Sequence, residues 1–424
     1  MRLTHQLKVA CCLAVLTAMI ATCAIPLARA SEPVADWTVM VYLDGDNNLD
    51  PDSVNDIAEM MTVGSTAKVN VIALWDRYDE PAYLYQVMPG ELVKLDGLTV
   101  NGLEVNGQEI SMTDWHVLKA FVDYGEANFP ANHYMLDLWD HGNAFGYACW
   151  DDHWEAPWTP SPKGALSLSE VVTAIGSTDM DILTYDGCTI GMVEIAYQLA
   201  YTQETLAVNI QYLVASEEYI PNNGYDYGAL LSNMNEMQET SAGAVAKMMT
   251  DIYAATYSPH GSAKGSSTVG LTAVDLSKVG PIASAMKALT DILTEDLHND
   301  FSAYHDLLSK ARGEANLGWS LNGWDDRVDL GTFLAELSKL SNDKTVSSLA
   351  DQALAVIEDS AYVANTPALA SQSAYGLGIW YPTSVRSVYN ANYIIGQYST
   401  TFAFSDDAGW LSFLYAYWGK LPNK

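Results

Sequence analysis

Apolar positions along the chain fall into two alternating kinds of run. Short continuous blocks rich in β-branched and aromatic residues occur at Trp37–Leu43, Val69–Trp75, Tyr134–Trp139, Ile182–Tyr185 and Tyr212–Ser216. Blocks of this length, apolar at nearly every position, suit strands buried on both faces. Between them lie stretches with helical spacing. One starts near Pro51, one covers Thr113–Tyr124 with Thr113 as its cap, and one covers Glu170–Ile175 behind Ser167 or Ser169. Another follows residue 188, where Ile190, Val193, Tyr197 and Ala200 recur. Tyr83–Met88 alternates, as an antiparallel partner of the preceding strand would, and Val93–Ser111, rich in Gly and Asn, reads as loop or edge hairpin. Strands alternating with helices predict an α/β fold around a mainly parallel sheet.

Beyond Ser216 the rhythm loosens. Glu217–Tyr227 is a turn-rich loop, Ser241–Tyr257 a helix, His260–Ser267 a Gly/Ser linker and Thr268–Val274 a strand. Pro281–His298, Ser302–Arg312 and Leu330–Leu340 read as helices, and Ala374–Tyr381 as a late strand stopped by Pro382. A last helix starts near Trp410, capped by Asp406 or Asp407. The start of the chain stands apart. Arg2 and Lys8 precede the apolar run Val9–Ile25, and Ala28-Arg29-Ala30 matches an A-x-A cleavage pattern. Residues 1–30 therefore read as a signal peptide cut after Ala30, and the mature chain, 31–424, as exported. No later stretch is long and apolar enough to cross a membrane as a helix.

Charge narrows the partners. The 424-residue chain carries −32, which becomes −35 once Arg2, Lys8 and Arg29 leave with the signal. Such a surface repels phosphates and argues against nucleic acid, while it accommodates cationic substrates or calcium. Asp44–Asp50 invites a calcium-loop reading. It fails the EF-hand pattern, because Leu49 stands where glycine belongs and Asn55 where glutamate belongs. A turn leading into the helix near Pro51 fits it better.

Two residues carry candidate chemistry. Cys11, Cys12 and Cys23 leave with the signal, so only Cys149 and Cys188 remain. Cys188 follows a strand and the Asp186-Gly187 turn, and precedes a helix whose N-terminus would favour a thiolate. A core thiol or a disulfide to Cys149 is the plainer role. His141, in Asp140-His141-Gly142, follows the strand Tyr134–Trp139. Right-handed crossovers bring both strand ends to one rim, where His141 could serve as base to a Cys188 nucleophile. Gly142 and the Cys188 N–H could then hold an oxyanion. A metal hydrolase is disfavoured: no H-E-x-x-H occurs, and His133 and His141 flank one strand ~20 Å or more apart.

These motifs, with Trp37–Tyr42, Asp46–Leu49, Met192, Ala215–Glu217, Val328–Leu330, Gly376–Pro382 and Trp410–Tyr417, resemble the clostripain-like cysteine peptidases of the caspase-like clan. The resemblance implies a caspase-like αβα sandwich, with a core of about 36–275 and a helical and strand part of about 276–424. It implies a Cys188–His141 dyad and cleavage of proteins or peptides after Arg or Lys. Asp186 matches the family's pocket carboxylate, and Glu217 and Asp226 lie where they could add charge. It also implies self-cleavage between histidine and cysteine, where Lys163 is the only Lys or Arg, and makes calcium the candidate cofactor. Asp44-Gly45 and the acidic Asp151-Asp152 loop depart from the family pattern. The alternative is a non-catalytic exported binding protein on the same scaffold.

Overall fold

In a computed structural model, which describes residues 34–154, 164–206, 208–263, 269–317, 326–365, 375–388 and 390–419, the apolar blocks pair into a nine-stranded sheet. Its strands are β1 (Ala35–Gly45), β2 (Val69–Arg77), β3 (Glu80–Met88), β4 (Glu91–Lys94), β7 (Ala131–Trp139), β8 (Asp179–Asp186), β9 (Asn209–Ala215), β10 (Gly270–Asp275) and β12 (Ala361–Asn365). Thr99–Val100 and Leu103–Glu104 (β5 and β6) form a separate small hairpin, within the segment expected to be loop or edge hairpin. The sheet order is β12-β10-β9-β8-β7-β1-β2-β3-β4. The five central strands, β9-β8-β7-β1-β2, are mutually parallel. Both margins are antiparallel, β3 and β4 on one side, β10 and β12 on the other.

The parallel strands are buried on both faces, as continuous apolar runs require. Along β1, Met40 and Tyr42 enter one core with Ile72, Leu74, Leu136 and Leu138, while Val39, Val41 and Leu43 enter the other with Val71 and Ala73. The first core is closed by helices Trp115–Asn128, Leu168–Ile175, Val193–Leu206 and Gly280–Asn299, the second by Asp50–Val63, Tyr227–Glu236 and Ala242–Thr256. This is the expected αβα sandwich. Asp114, not Thr113, caps its helix, since the aspartate carboxylate accepts the His116 N–H. Ser167 caps the next helix with a full capping box to Glu170.

The C-terminal part adds helices and more strand than expected. The late strand shrinks to β13 (Gly378–Trp380), which pairs with β11 (Arg327–Asp329) outside the main sheet. Helices Lys344–Ser360 and Ala391–Thr401, and edge strand β12, were not expected. Asp406 and Asp407 close a short helical turn of their own, Phe404–Asp407, and Gly409 with φ 64° begins the Trp410–Tyr417 helix. Residues 1–33, with the signal-peptide reading, and Lys163 lie outside the described residues.

Candidate active site

Because β1, β7, β8 and β9 are parallel, the turns leaving their carboxyl ends share one edge of the sheet. A cavity of about 330 Å³ opens there, lined by His141, Gly142, Gly187 and Cys188, by Asp52, Asp56 and Asp186, and by apolar side chains including Leu49, Trp139 and Ile220. Two glycines let the histidine and cysteine turns touch. A Cβ on Gly142 would lie 2.6 Å from the Cys188 carbonyl oxygen, and one on Gly187 would lie 2.7 Å from that of Asp140.

Cys188 is partly exposed and its Sγ lies 3.8 Å from the Ile220 carbonyl. It forms no disulfide, and Cys149 is a separate, buried thiol. The expected helix does not begin at Cys188. Ile190–Met192 run on, with Met192 bridging to Gly378, and the helix starts only at Val193. Cys188 therefore stands five residues ahead of the helix start, not at its N-terminus. Burial instead pushes the thiol up to about 11, with Arg327 pulling the other way. Thr189, next in sequence, holds φ 62°, a strained conformation for a β-branched residue. Its N–H is anchored on the Glu218 carbonyl and that of Gly191 on Ser216, so the turn is pinned from the end of β9.

Burial holds the His141 imidazole down to about 4. Its Nε2 sits 3.0 Å from Asn48 Oδ1, a partner that the sequence reading did not single out. The neighbouring Asp140 carboxylate is buried and committed to Asn47 Nδ2 and the Trp150 N–H. Among the described residues, no acceptor takes the backbone N–H of Gly142 or of Cys188.

The acidic wall is a stack of buried carboxyls. Asp186 Oδ2 accepts from the Tyr225 N–H at 2.8 Å and the Tyr227 hydroxyl at 3.2 Å. The same hydroxyl donates to Asp137 at 2.7 Å, and Asp137 accepts the Asp186 N–H. Asp56 accepts from Trp139 Nε1 at 2.6 Å. Burial, reinforced by mutual repulsion, raises Asp56 to about 9 and Asp137 to about 8. Burial, partly offset by its two donors, raises Asp186 to about 7. Asp56 carried a readable signal: with Ser53, Ile57 and Met60 it lies on the buried stripe of its helix, where a carboxylate is out of place.

Two other expected pocket residues do not line the cavity. Glu217 is fully buried with its side chain turned to Asp329, and its carbonyl accepts from Arg327 Nε. Asp226 caps helix Tyr227–Glu236 through the Ala229 N–H. Side chains alternate along an extended segment, so leaving the correct strand end is not enough to face the cavity.

A family model described as the clostripain family matches residues 41–418. Clostripain from Hathewaya histolytica is 29% identical over 230 residues, 46% of this chain and 42% of that protein, so the match spans less than half of its length. Among solved structures, an inactive zymogen C11 protease from Parabacteroides distasonis superposes with a TM-score of 0.61 at 16% identity, covering 89% of this chain and 99% of that one. A secreted C11 cysteine protease from Bacteroides thetaiotaomicron, in complex with an irreversible peptide inhibitor, superposes with the same score and coverage at 15% identity. At such identities the likeness to the solved structures is one of fold.

Proposed function

The chain belongs to the clostripain family, and from that premise we propose that it is an exported cysteine endopeptidase that cleaves after Arg or Lys. The observation that carries the reading is that Cys188, His141 and the buried Asp186 line one cavity. The resting pair is neutral, a thiol held up and an imidazole held down by burial. His141 therefore acts as base only as the reaction proceeds. It takes the thiol proton while Cys188 Sγ attacks the scissile carbonyl, and the charge appears on the carbonyl oxygen. The N–H groups of Gly142 and Cys188, unspent among the described residues, can receive it. His141 returns the proton to the leaving amine, and a water activated by the same imidazole releases the acyl group from sulfur.

Asp186, charged above about pH 7, gives the cavity its preference for a cation, and Asp56 lies in the same lining. A guanidinium suits the site better than an ammonium, because its planar fork can pair with a carboxylate through two N–H groups. Lys163 is the processing site in this reading, cut by the enzyme itself, and residues 1–30 are the export signal. No helix among the described residues is long and apolar enough to cross a membrane, in keeping with a chain released after export. The test is hydrolysis of matched peptides that differ only in Arg, Lys or Ala before the scissile bond, by residues 31–424. Turnover with Arg or Lys that vanishes in Cys188→Ala supports the reading. Turnover that survives Cys188→Ala refutes the nucleophile, and none even after nicking at Lys163 favours a binding protein.

A further inference from the structure

Four carboxylates are buried together beside the His141 turn, with one imidazole to balance them. Asp44 and Asp76 are register partners at the ends of β1 and β2. Asp46 follows β1, and Asp151 comes from the segment after His141. Asp44, Asp46 and Asp76 are wholly inaccessible and Asp151 nearly so. One oxygen from each of Asp46, Asp76 and Asp151 lies within 4.8 Å of the others. Oxygens bound to one ion at about 2.3–2.6 Å can be no more than ~5 Å apart, so this spacing fits a single centre.

The hydrogen bonds leave the cluster incomplete. Asp76 Oδ1 accepts from the Arg77 N–H, but Asp76 Oδ2 and Asp44 Oδ2 are buried and accept nothing from the described residues. His153 Nδ1, 2.6 Å from Asp46, is the basic nitrogen that the described residues bring to these carboxylates. Arg77, close in sequence, is turned away to Asp50 and Glu80. Buried carboxylates without cationic partners are costly, and an all-carboxylate donor set selects a hard divalent cation. Three carboxylates, one at the end of β2 and two from irregular segments, suit calcium, since magnesium is held by one or two and keeps its waters.

We propose that Asp46, Asp76 and Asp151 bind one calcium ion, with Asp44 beside them, and that the ion fastens the Asp46–Asn48 turn to the segment following His141. The connections that would carry this are already present. The Asp152 N–H donates to the Asp46 carbonyl, and Asn47 Nδ2 donates to both Asp140 Oδ1 and the Trp150 carbonyl. Asn48 Oδ1 meets the His141 imidazole. A cation tying Asp46 to Asp151 thereby holds the partner of His141, as a positioning site apart from the cleavage chemistry.

The experiment uses residues 31–424 carrying Cys188→Ala, so its readout does not depend on peptidase activity. Calcium chloride titrated calorimetrically into chelator-treated protein should show one ion per chain, binding tighter than about 1 mM. Asp76→Asn should weaken binding at least about tenfold. Because that change removes an unpaired buried charge, the metal-free variant should melt no lower than its metal-free parent, which separates lost binding from lost folding. Calcium should also slow amide exchange in peptides covering 44–50 and 150–154. Absence of binding to the parent, or unchanged affinity in Asp76→Asn, overturns the site. Unchanged exchange with calcium bound overturns the fastening.

Discussion

Asp186→Asn tests the acidic wall most directly, because it keeps the shape of the side chain and removes only its charge. Burial raises the Asp186 carboxyl to about 7. The Tyr225 N–H and the Tyr227 hydroxyl, which donate to it, offset part of that burial. The sign follows. A carboxyl raised to about 7 is neutral below that pH and charged above it, and a cationic side chain needs the charged form. For an arginine substrate, kcat/KM reports on the free enzyme and should rise about tenfold between pH 6 and pH 8. A matched norleucine substrate should show no such limb there, since His141, held near 4, is already neutral. Truncating one partner of a buried charge pair costs about 2–5 kcal/mol, so Asp186→Asn should lower kcat/KM for arginine about 30- to 5,000-fold. The norleucine rate should change little. The assay is steady-state hydrolysis of the two substrates across that pH range. An unchanged arginine-to-norleucine ratio in Asp186→Asn, or an unchanged acidic limb, would refute the argument.

Three further outcomes follow from the same geometry. Gly224→Ala should erode arginine preference without abolishing turnover, because φ is +53° there and a Cβ would stand 2.5 Å from Asp186 Oδ2; the selectivity ratio reads it. Asn48→Ala should lower kcat about tenfold while KM stays nearly constant, since the imidazole loses an orienting partner but the pocket is untouched; a change confined to KM would contradict it. Alkylation of Cys188 by a small neutral reagent should be slow at pH 7 and quicken continuously above pH 8, as expected for a thiol held near 11. A rate already at its plateau by pH 7 would show a thiolate at rest.

The parts of the site legible in the sequence were those that depend on strand direction alone. Parallel strands end on one edge, so His141 and Cys188 could be brought together from two apolar blocks and one crossover. What depends on side-chain direction or register was not legible. Glu217 leaves the correct strand end but points to Asp329. Asp44 and Asp76 meet only through the β1–β2 register, and Asp151 joins them from a segment with no periodic signal. The Asp44–Asp50 turn reads as a failed calcium loop, because a linear pattern cannot show carboxylates brought together from three separate segments.

The error over the helix start points to what the C-terminal part does. A helix beginning at Cys188 would have activated the thiol by its dipole, with no help from elsewhere. Instead Ile190–Met192 make a tight turn, the Met192 N–H donating to the Ile190 carbonyl, while the Gly378 N–H donates to the Gly191 carbonyl and Met192 bridges to Gly378. A Cβ at Gly191 would fall 2.6 Å from the Glu217 nitrogen, so β9 presses on the same turn from the other side. One turn later, buried Glu194 accepts from the Trp380 N–H and the Tyr398 hydroxyl, each at 2.9 Å. The strained Thr189 is thus held between the end of β9 and a strand nearly two hundred residues downstream. Strain of this kind persists only where the surroundings over-determine it. The late strand and the helices behind it supply that constraint, which makes them part of the apparatus that presents Cys188.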